Sequence, residues 1–250
     1  MIKTSRLLLF QSSFSPLGEK ARMRGCVVFL FLAVFFAGCQ TFSKGPETSV
    51  FSAQTSQGMK YRILTFPGMP PERKFPVIVA LHGAGMNSDA YMAAWEKEAA
   101  RKHFMIVTPD WQNRDFQSLA KAVDEILRIY PVDFKRIYLS GLSAGGVMGT
   151  RLVRRNPFQW KGLVWIAFST QDLGTPEISP QGFPPILIRH GSLDPFPAGQ
   201  VQKDSEKLKA HGFRVTWIED AKAGHEHKPE WTKPILDWLE ALIPAPGKNS

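Results

Sequence analysis

From Tyr61 onward, short runs of β-branched and aromatic residues alternate with longer segments in which apolar residues recur at helical spacing. The runs Tyr61–Phe66, Val77–Leu81, Phe104–Thr108, Ile137–Ser140, Leu163–Phe168, Ile186–Arg189 and Val215–Glu219 predict strands. Ala90–Lys102, Phe116–Ile129, Gly146–Arg155, Gln200–His211 and a last segment from about Glu230 to Leu242 predict helices between and after them. Such alternation implies an α/β domain with a mainly parallel sheet, wound on both faces by helices. No internal repeat interrupts it. In sheets of this kind, chemically active residues collect in the loops that follow the carboxyl ends of strands.

The first residues follow a different pattern. Lys20, Arg22 and Arg24 precede the apolar run from Cys26 to Phe36, after which come Ala37, Gly38 and Cys39. A positive region, a short apolar core and small residues form a secretory signal, because a bilayer-spanning helix needs about 20 apolar residues. Met23, just ahead of Arg24, gives a signal of more typical length and is the expected true start. Phe36-Ala-Gly-Cys39 resembles the lipobox of bacterial lipoproteins, although Phe36 stands where leucine is usual. That resemblance implies acylation of Cys39. Gln40, in place of an aspartate, implies the outer membrane, with the domain in the periplasm or at the cell surface. The expected division is a signal over 1–39, a polar Ser/Thr/Gly/Pro-rich tether over 40–58 and the folded domain over 59–245.

Charge and cysteines narrow the picture further. Of 31 Lys and Arg against 22 Asp and Glu, five basic residues and one acidic residue fall in the first 39, so nearly half of the +9 excess belongs to the leader. The remaining cations are scattered and not interleaved with aromatics, which argues against nucleic acid as a partner. Cys26 lies in the signal and Cys39 would carry lipid, so no disulfide is expected in the domain.

The candidate chemistry starts at Gly141-Leu-Ser143-Ala-Gly145. This G-x-S-x-G pentapeptide lies between the strand Ile137–Ser140 and the helix Gly146–Arg155, the context in which a sharp turn exposes a serine nucleophile. Glycines two positions to either side keep that turn free of side chains. Other capable residues fall after other strands. His82-Gly-Ala84-Gly follows Val77–Leu81 and can bring the Ala84 N–H to a ligand, beside the N–H of Ala144 after the serine. Asp194 follows Ile186–Arg189, and His225 follows Val215–Glu219. His225 is the candidate base, with His227 as the alternative. His82, His103, His190 and His211 lie in other places, and His190 reads as a support for the Asp194 loop. Trp111, Phe116 and Phe196 are candidate pocket residues.

These segments together resemble the α/β-hydrolases, in particular the carboxylesterase, dienelactone hydrolase and polyhydroxybutyrate depolymerase-like groups, over about residues 60–242. The matching stretches are His82 to Gly85, Gly141 to Gly146, His190 to Pro197 and Gly224-His225. The resemblance implies an α/β-hydrolase fold, a catalytic Ser143, Asp194 and His225, and an oxyanion hole at Ala84 and Ala144, with no metal or organic cofactor. The resemblance carries no claim about the substrate; an open site without a large lid suits a small-molecule or polymer-end ester. The short stretch Ser169–Pro184 leaves no room for a large lid domain. A serine peptidase of the same fold and a non-catalytic binding lipoprotein are the alternatives.

Overall fold

The computed structural model describes residues 47–70, 72–112, 114–168 and 178–243. The expected signal, the expected lipobox with Cys39 and the expected tether as far as residue 46 lie outside the described residues. Eight strands form one sheet: β1 (Ser49–Gln54), β2 (Lys60–Thr65), β3 (Phe75–Leu81), β4 (Met105–Pro109), β5 (Val132–Leu142), β6 (Gly162–Ile166), β7 (Ile186–Gly191) and β8 (Val215–Asp220). Their spatial order is β1-β2-β4-β3-β5-β6-β7-β8. The first two are antiparallel to their neighbours, and all the others run parallel. Among the described residues, α1 (Ser88–Lys102), α2 (Phe116–Ile129), α3 (Ala144–Arg155) and α4 (Ala198–Ala210) connect strands, and α5 (Pro229–Ala241) follows the last one.

Crossover handedness assigns the faces. The chain goes from β3 to β4 in one direction across the sheet and from β4 to β5 in the other, so right-handed connections put α1 and α2 on opposite faces. The β5–β6 and β7–β8 steps share the second direction, which puts α3 and α4 with α2. α5 packs on α1. Covered on both sides, β3 (Phe-Pro-Val-Ile-Val-Ala-Leu) is buried at every position, which is why its sequence is continuously apolar. Helix starts follow local chemistry: Asn87 accepts from the Ala90 N–H at 2.9 Å and Asp115 from the Ser118 N–H at 2.9 Å.

Two features depart from the sequence expectations. The segment 49–54, expected as tether, is the edge strand β1, paired with β2 from Ser49↔Thr65 to Gln54↔Lys60. An edge strand leaves one side and much of its surface in water, so Ser49, Ser52 and Gln54 are tolerated and no apolar run marks it. The folded domain therefore begins before residue 59. β5 also starts earlier than Ile137: Phe75 pairs with Val132 and Val77 with Ile137, so Asp133–Arg136 form a bulge.

Candidate active site

Ser143 is held in the turn between β5 and α3 at φ 52° and ψ −118°. This conformation is rare for a residue with a Cβ and costs on the order of 1–3 kcal/mol. The neighbouring backbone imposes it. The Ser143 N–H donates to the Ile166 carbonyl at 3.0 Å, and its own carbonyl accepts from Gly146 N–H at 2.8 Å. A Cβ on Gly145 would stand 2.1 Å from the Leu81 carbonyl oxygen, and one on Gly141 2.6 Å from Gly146 N. Both expected glycines are thus required by close backbone approach, which seats the start of α3 under the end of β3.

The register places the other candidates at the same sheet edge. Leu142 pairs with Ile166, Ile166 with Arg189 and Arg189 with Ile218, and the loops carrying Ser143, Asp194 and His225 all leave just beyond this row. Asp194 and His225 meet directly. The His225 Nδ1–H donates to Asp194 Oδ2 at 2.8 Å, which leaves Nε2 as the free basic nitrogen. The Asp194 carboxylate is fully buried, whereas the His225 ring is 30% exposed. The Phe196 N–H donates to the other oxygen, Oδ1, at 2.8 Å, so both carboxylate oxygens have donors.

The two loops are laced together. Leu193 N–H donates to Ala223 O at 2.8 Å, and Lys222 N–H to Ser192 Oγ at 3.0 Å. Beneath them Arg189 makes a bidentate pair with Asp220, Nε to Oδ2 at 2.6 Å and Nη2 to Oδ1 at 2.8 Å, and lies 4.8 Å from the Trp231 ring. Sequence reading missed this pair; its signal was an arginine inside a buried strand, which demands a partner. His190 behaves as expected: it is buried, stacks on Trp217, and donates from Nε2 to the Phe196 carbonyl at 2.8 Å. Its Nδ1 stands 3.9 Å from Asp194 Oδ2.

His227, the alternative base, belongs to the core. It is packed against Tyr91, Trp95 and Trp231. Thr232 Oγ1 gives its proton to Ala94 O at 2.6 Å, so it accepts from His227 Nε2–H at 3.2 Å. Burial, aided by the Arg189 cation, lowers the His227 pKa to about 3. The unfolded chain takes up this proton near pH 6.5 and the folded chain only near 3, so stability is lost as pH falls through that window. Urea titrations between pH 7 and 4 are expected to show a decline with a slope approaching about 1.4 kcal/mol per pH unit from this residue. His227→Gln should flatten it.

Ala144 is the first residue of α3, so its N–H lacks an intrahelical acceptor. Ala84 lies in the turn closed by Met86 N–H to Gly83 O at 3.3 Å, with Gly85 at φ 76°. Trp111, expected as a pocket residue, and Gln112, which carries no sequence signal, hold this turn. Trp111 Nε1–H donates to His82 O at 3.2 Å while stacking on the His82 ring, and Gln112 Nε2–H donates to Gly83 O at 3.0 Å. His82 Nδ1–H also donates to Gly83 O, at 2.9 Å. Because a trans peptide holds C=O and N–H antiparallel, fixing the Gly83 carbonyl fixes the Ala84 N–H in the opposite direction. If the Ala84 N–H serves a reaction at Ser143, replacing Trp111 with Phe and Gln112 with Ala together is expected to lower kcat about tenfold with KM nearly unchanged, less than the loss of an oxyanion donor outright. Of the other pocket candidates, Phe116 packs on the core at the start of α2, and Phe196 is exposed with its ring 5.5 Å from that of His225.

A sheet of this order, with a strained serine after β5 and an Asp–His pair after β7 and β8, is the α/β-hydrolase fold. No family model matches the sequence. It is similar to poly(3-hydroxyalkanoate) depolymerase C of Paucimonas lemoignei, 26% identical over 265 residues, covering 84% of this chain and 64% of that protein. Its fold matches a ferulic acid esterase with a TM-score of 0.67 at 13% identity, covering 80% of this chain and 100% of the other. It also matches the S-formylglutathione hydrolase of Agrobacterium tumefaciens, with a TM-score of 0.62 at 15% identity over 80% and 96% of the two chains.

Proposed function

We propose that this chain is a serine-dependent carboxylic ester hydrolase working through an acyl-enzyme. The observation that carries the reading is the His225–Asp194 hydrogen bond at the sheet edge that also bears the strained Ser143. His225 Nε2 takes the Ser143 proton as Oγ attacks the ester carbonyl, and the buried Asp194 carboxylate stabilises the resulting imidazolium. The N–H groups of Ala84 and Ala144 receive the oxyanion, each worth about 3 kcal/mol. His225 returns the proton to the departing alcohol. Water then enters, gives its proton to His225, and releases the acid as Ser143 recovers its own. No step calls for a metal or an organic cofactor.

A soluble ester or the end of a polyester chain is the substrate that best suits the site. Val147, Leu193 and Phe196 are exposed beside the three candidates and offer an apolar rim, and residues 167–185 between β6 and β7 are too few for a lid domain. The name of the Paucimonas relative points the same way. Acylated Cys39 tethers the domain to a bacterial outer membrane, in the periplasm or at the surface. Turnover of an ester panel from acetate to octanoate, with Ser143→Ala measured beside the parent, tests the reading. A parent inactive on every ester would overturn it.

A further inference from the structure

The opposite edge of the sheet carries a feature that ester hydrolysis does not use. Val50, Leu64, Ile106, Ile78, Tyr138 and Gly162 are paired across one row near the amino ends of the parallel strands. Ser49, where the chain enters β1, lies one residue beyond that row on the side away from Ser143. On the same side three segments each present an exposed apolar side chain next to a cation. Arg128-Ile129 ends α2, Phe134-Lys135 is carried by the bulge of β5, and Phe158 stands in the 3-10 turn Pro157–Gln159, shortly before Lys161. Ile129, Phe134 and Phe158 are 60%, 62% and 69% exposed.

The bulge is built to do this. Asp133 accepts from Lys135 N–H at 2.9 Å and pairs with Arg136 at 2.6 Å, closing a tight excursion that turns Phe134 outward. Phe134 and Phe158 both line a groove of about 410 Å³, and each stays more than half exposed, so neither ring covers the other. Of the carboxylates near this surface, Asp133 and Asp124 are paired with Arg136 and Arg155, while Glu125 accepts two hydrogen bonds from Ser56 and faces Arg128, leaving Lys135 and Lys161 as the cations that flank the two phenylalanines. Arg128, Lys135 and Lys161 are exposed. Separate apolar prongs, each beside a cation, fit the boundary between headgroups and acyl chains of an anionic bilayer.

We propose that this edge docks on the surface of an anionic phospholipid membrane. The inference rests in part on the tether of the preceding section, because Cys39 precedes Ser49 by ten residues and Ser49 enters at this edge. Docked so, the domain turns its ester site away from the bilayer. Tyr138 of the amino-end row and Ser143 are five residues apart along β5 and its turn, about 16 Å. Substrate then arrives from the aqueous side, and the lipids of the docking membrane are not hydrolysed.

The test uses the chain from residue 40 onward, which lacks both the apolar run Cys26–Phe36 and any acyl anchor at Cys39, mixed with vesicles of phosphatidylglycerol and phosphatidylethanolamine or of phosphatidylcholine alone. Sedimentation with the anionic vesicles is expected, weakening with added salt. Phe134→Ser with Phe158→Ser should reduce partitioning at least about tenfold, with melting temperature and soluble-ester turnover unchanged. Undiminished binding in the double variant would overturn the proposal, as would absence of binding to anionic vesicles. A dimer that the double variant abolishes, without vesicle binding, would likewise overturn it and assign the face to a second copy. Mass measurement of Cys39 in the unaltered protein tests the tether separately, and turnover tests the hydrolase reading separately.

Discussion

Ser143→Ala is expected to lower ester turnover by about 10⁴- to 10⁶-fold while leaving the fold in place. The bonds that hold the turn are backbone bonds, Ser143 N–H to Ile166 O and Gly146 N–H to Ser143 O, and alanine keeps both. Alanine also keeps the Cβ and therefore the strain of φ 52°. The two effects can be separated with Ser143→Gly, which is equally inactive but relieves the strained conformation. Its melting transition should lie above that of Ser143→Ala, by about 1 kcal/mol after the extra chain entropy of glycine is offset. A nucleophile held under strain predicts this inverse relation between stability and activity; equal stability of the two variants would show that Ser143 is not strained. Retained turnover in Ser143→Ala would remove it from the mechanism.

Much of the site was legible because its parts have local signatures. A serine between glycines at a strand-to-helix boundary, a small-residue turn after β3, and an aspartate and a histidine after later strands can each be read from a few consecutive residues. The strands themselves were legible where they are buried on both faces. What escaped has no such signature. β1 is half in water, so its sequence resembles a linker. The clamp on the turn around Ala84 joins Trp111 and Gln112 to carbonyls 29 positions earlier, and a backbone acceptor leaves no mark on sequence. Only its place directly after Gly224 favours His225 over His227, since the two stand two residues apart on a similar background. Burial separates them: one ring is part-exposed and meets a buried carboxylate, and the other is enclosed by aromatic side chains and deprived of its proton.

Asp194→Asn is expected to lower kcat by about 10³- to 10⁴-fold with little change in KM and with folding retained. The hydrogen bonds around this side chain fix how an asparagine must sit. Phe196 N–H needs an acceptor at the position of Oδ1, so the amide oxygen turns toward it and the amide nitrogen takes the position of Oδ2. That nitrogen can only donate, and it faces His225 Nδ1. His225 must then accept at Nδ1 and carry its proton on Nε2, where a base is needed. His190 reinforces the wrong arrangement: its Nε2–H is committed to the Phe196 carbonyl, so its bare Nδ1, 3.9 Å from Oδ2 in the parent, is a second acceptor for the new amide. The variant is thus held stably in an inactive tautomer, which predicts a melting temperature close to that of the parent. Nitrogen NMR of the His225 ring should show the proton moved from Nδ1 to Nε2. Activity within about tenfold of the parent would mean that another carboxylate orients His225, and the assignment of Asp194 would fall.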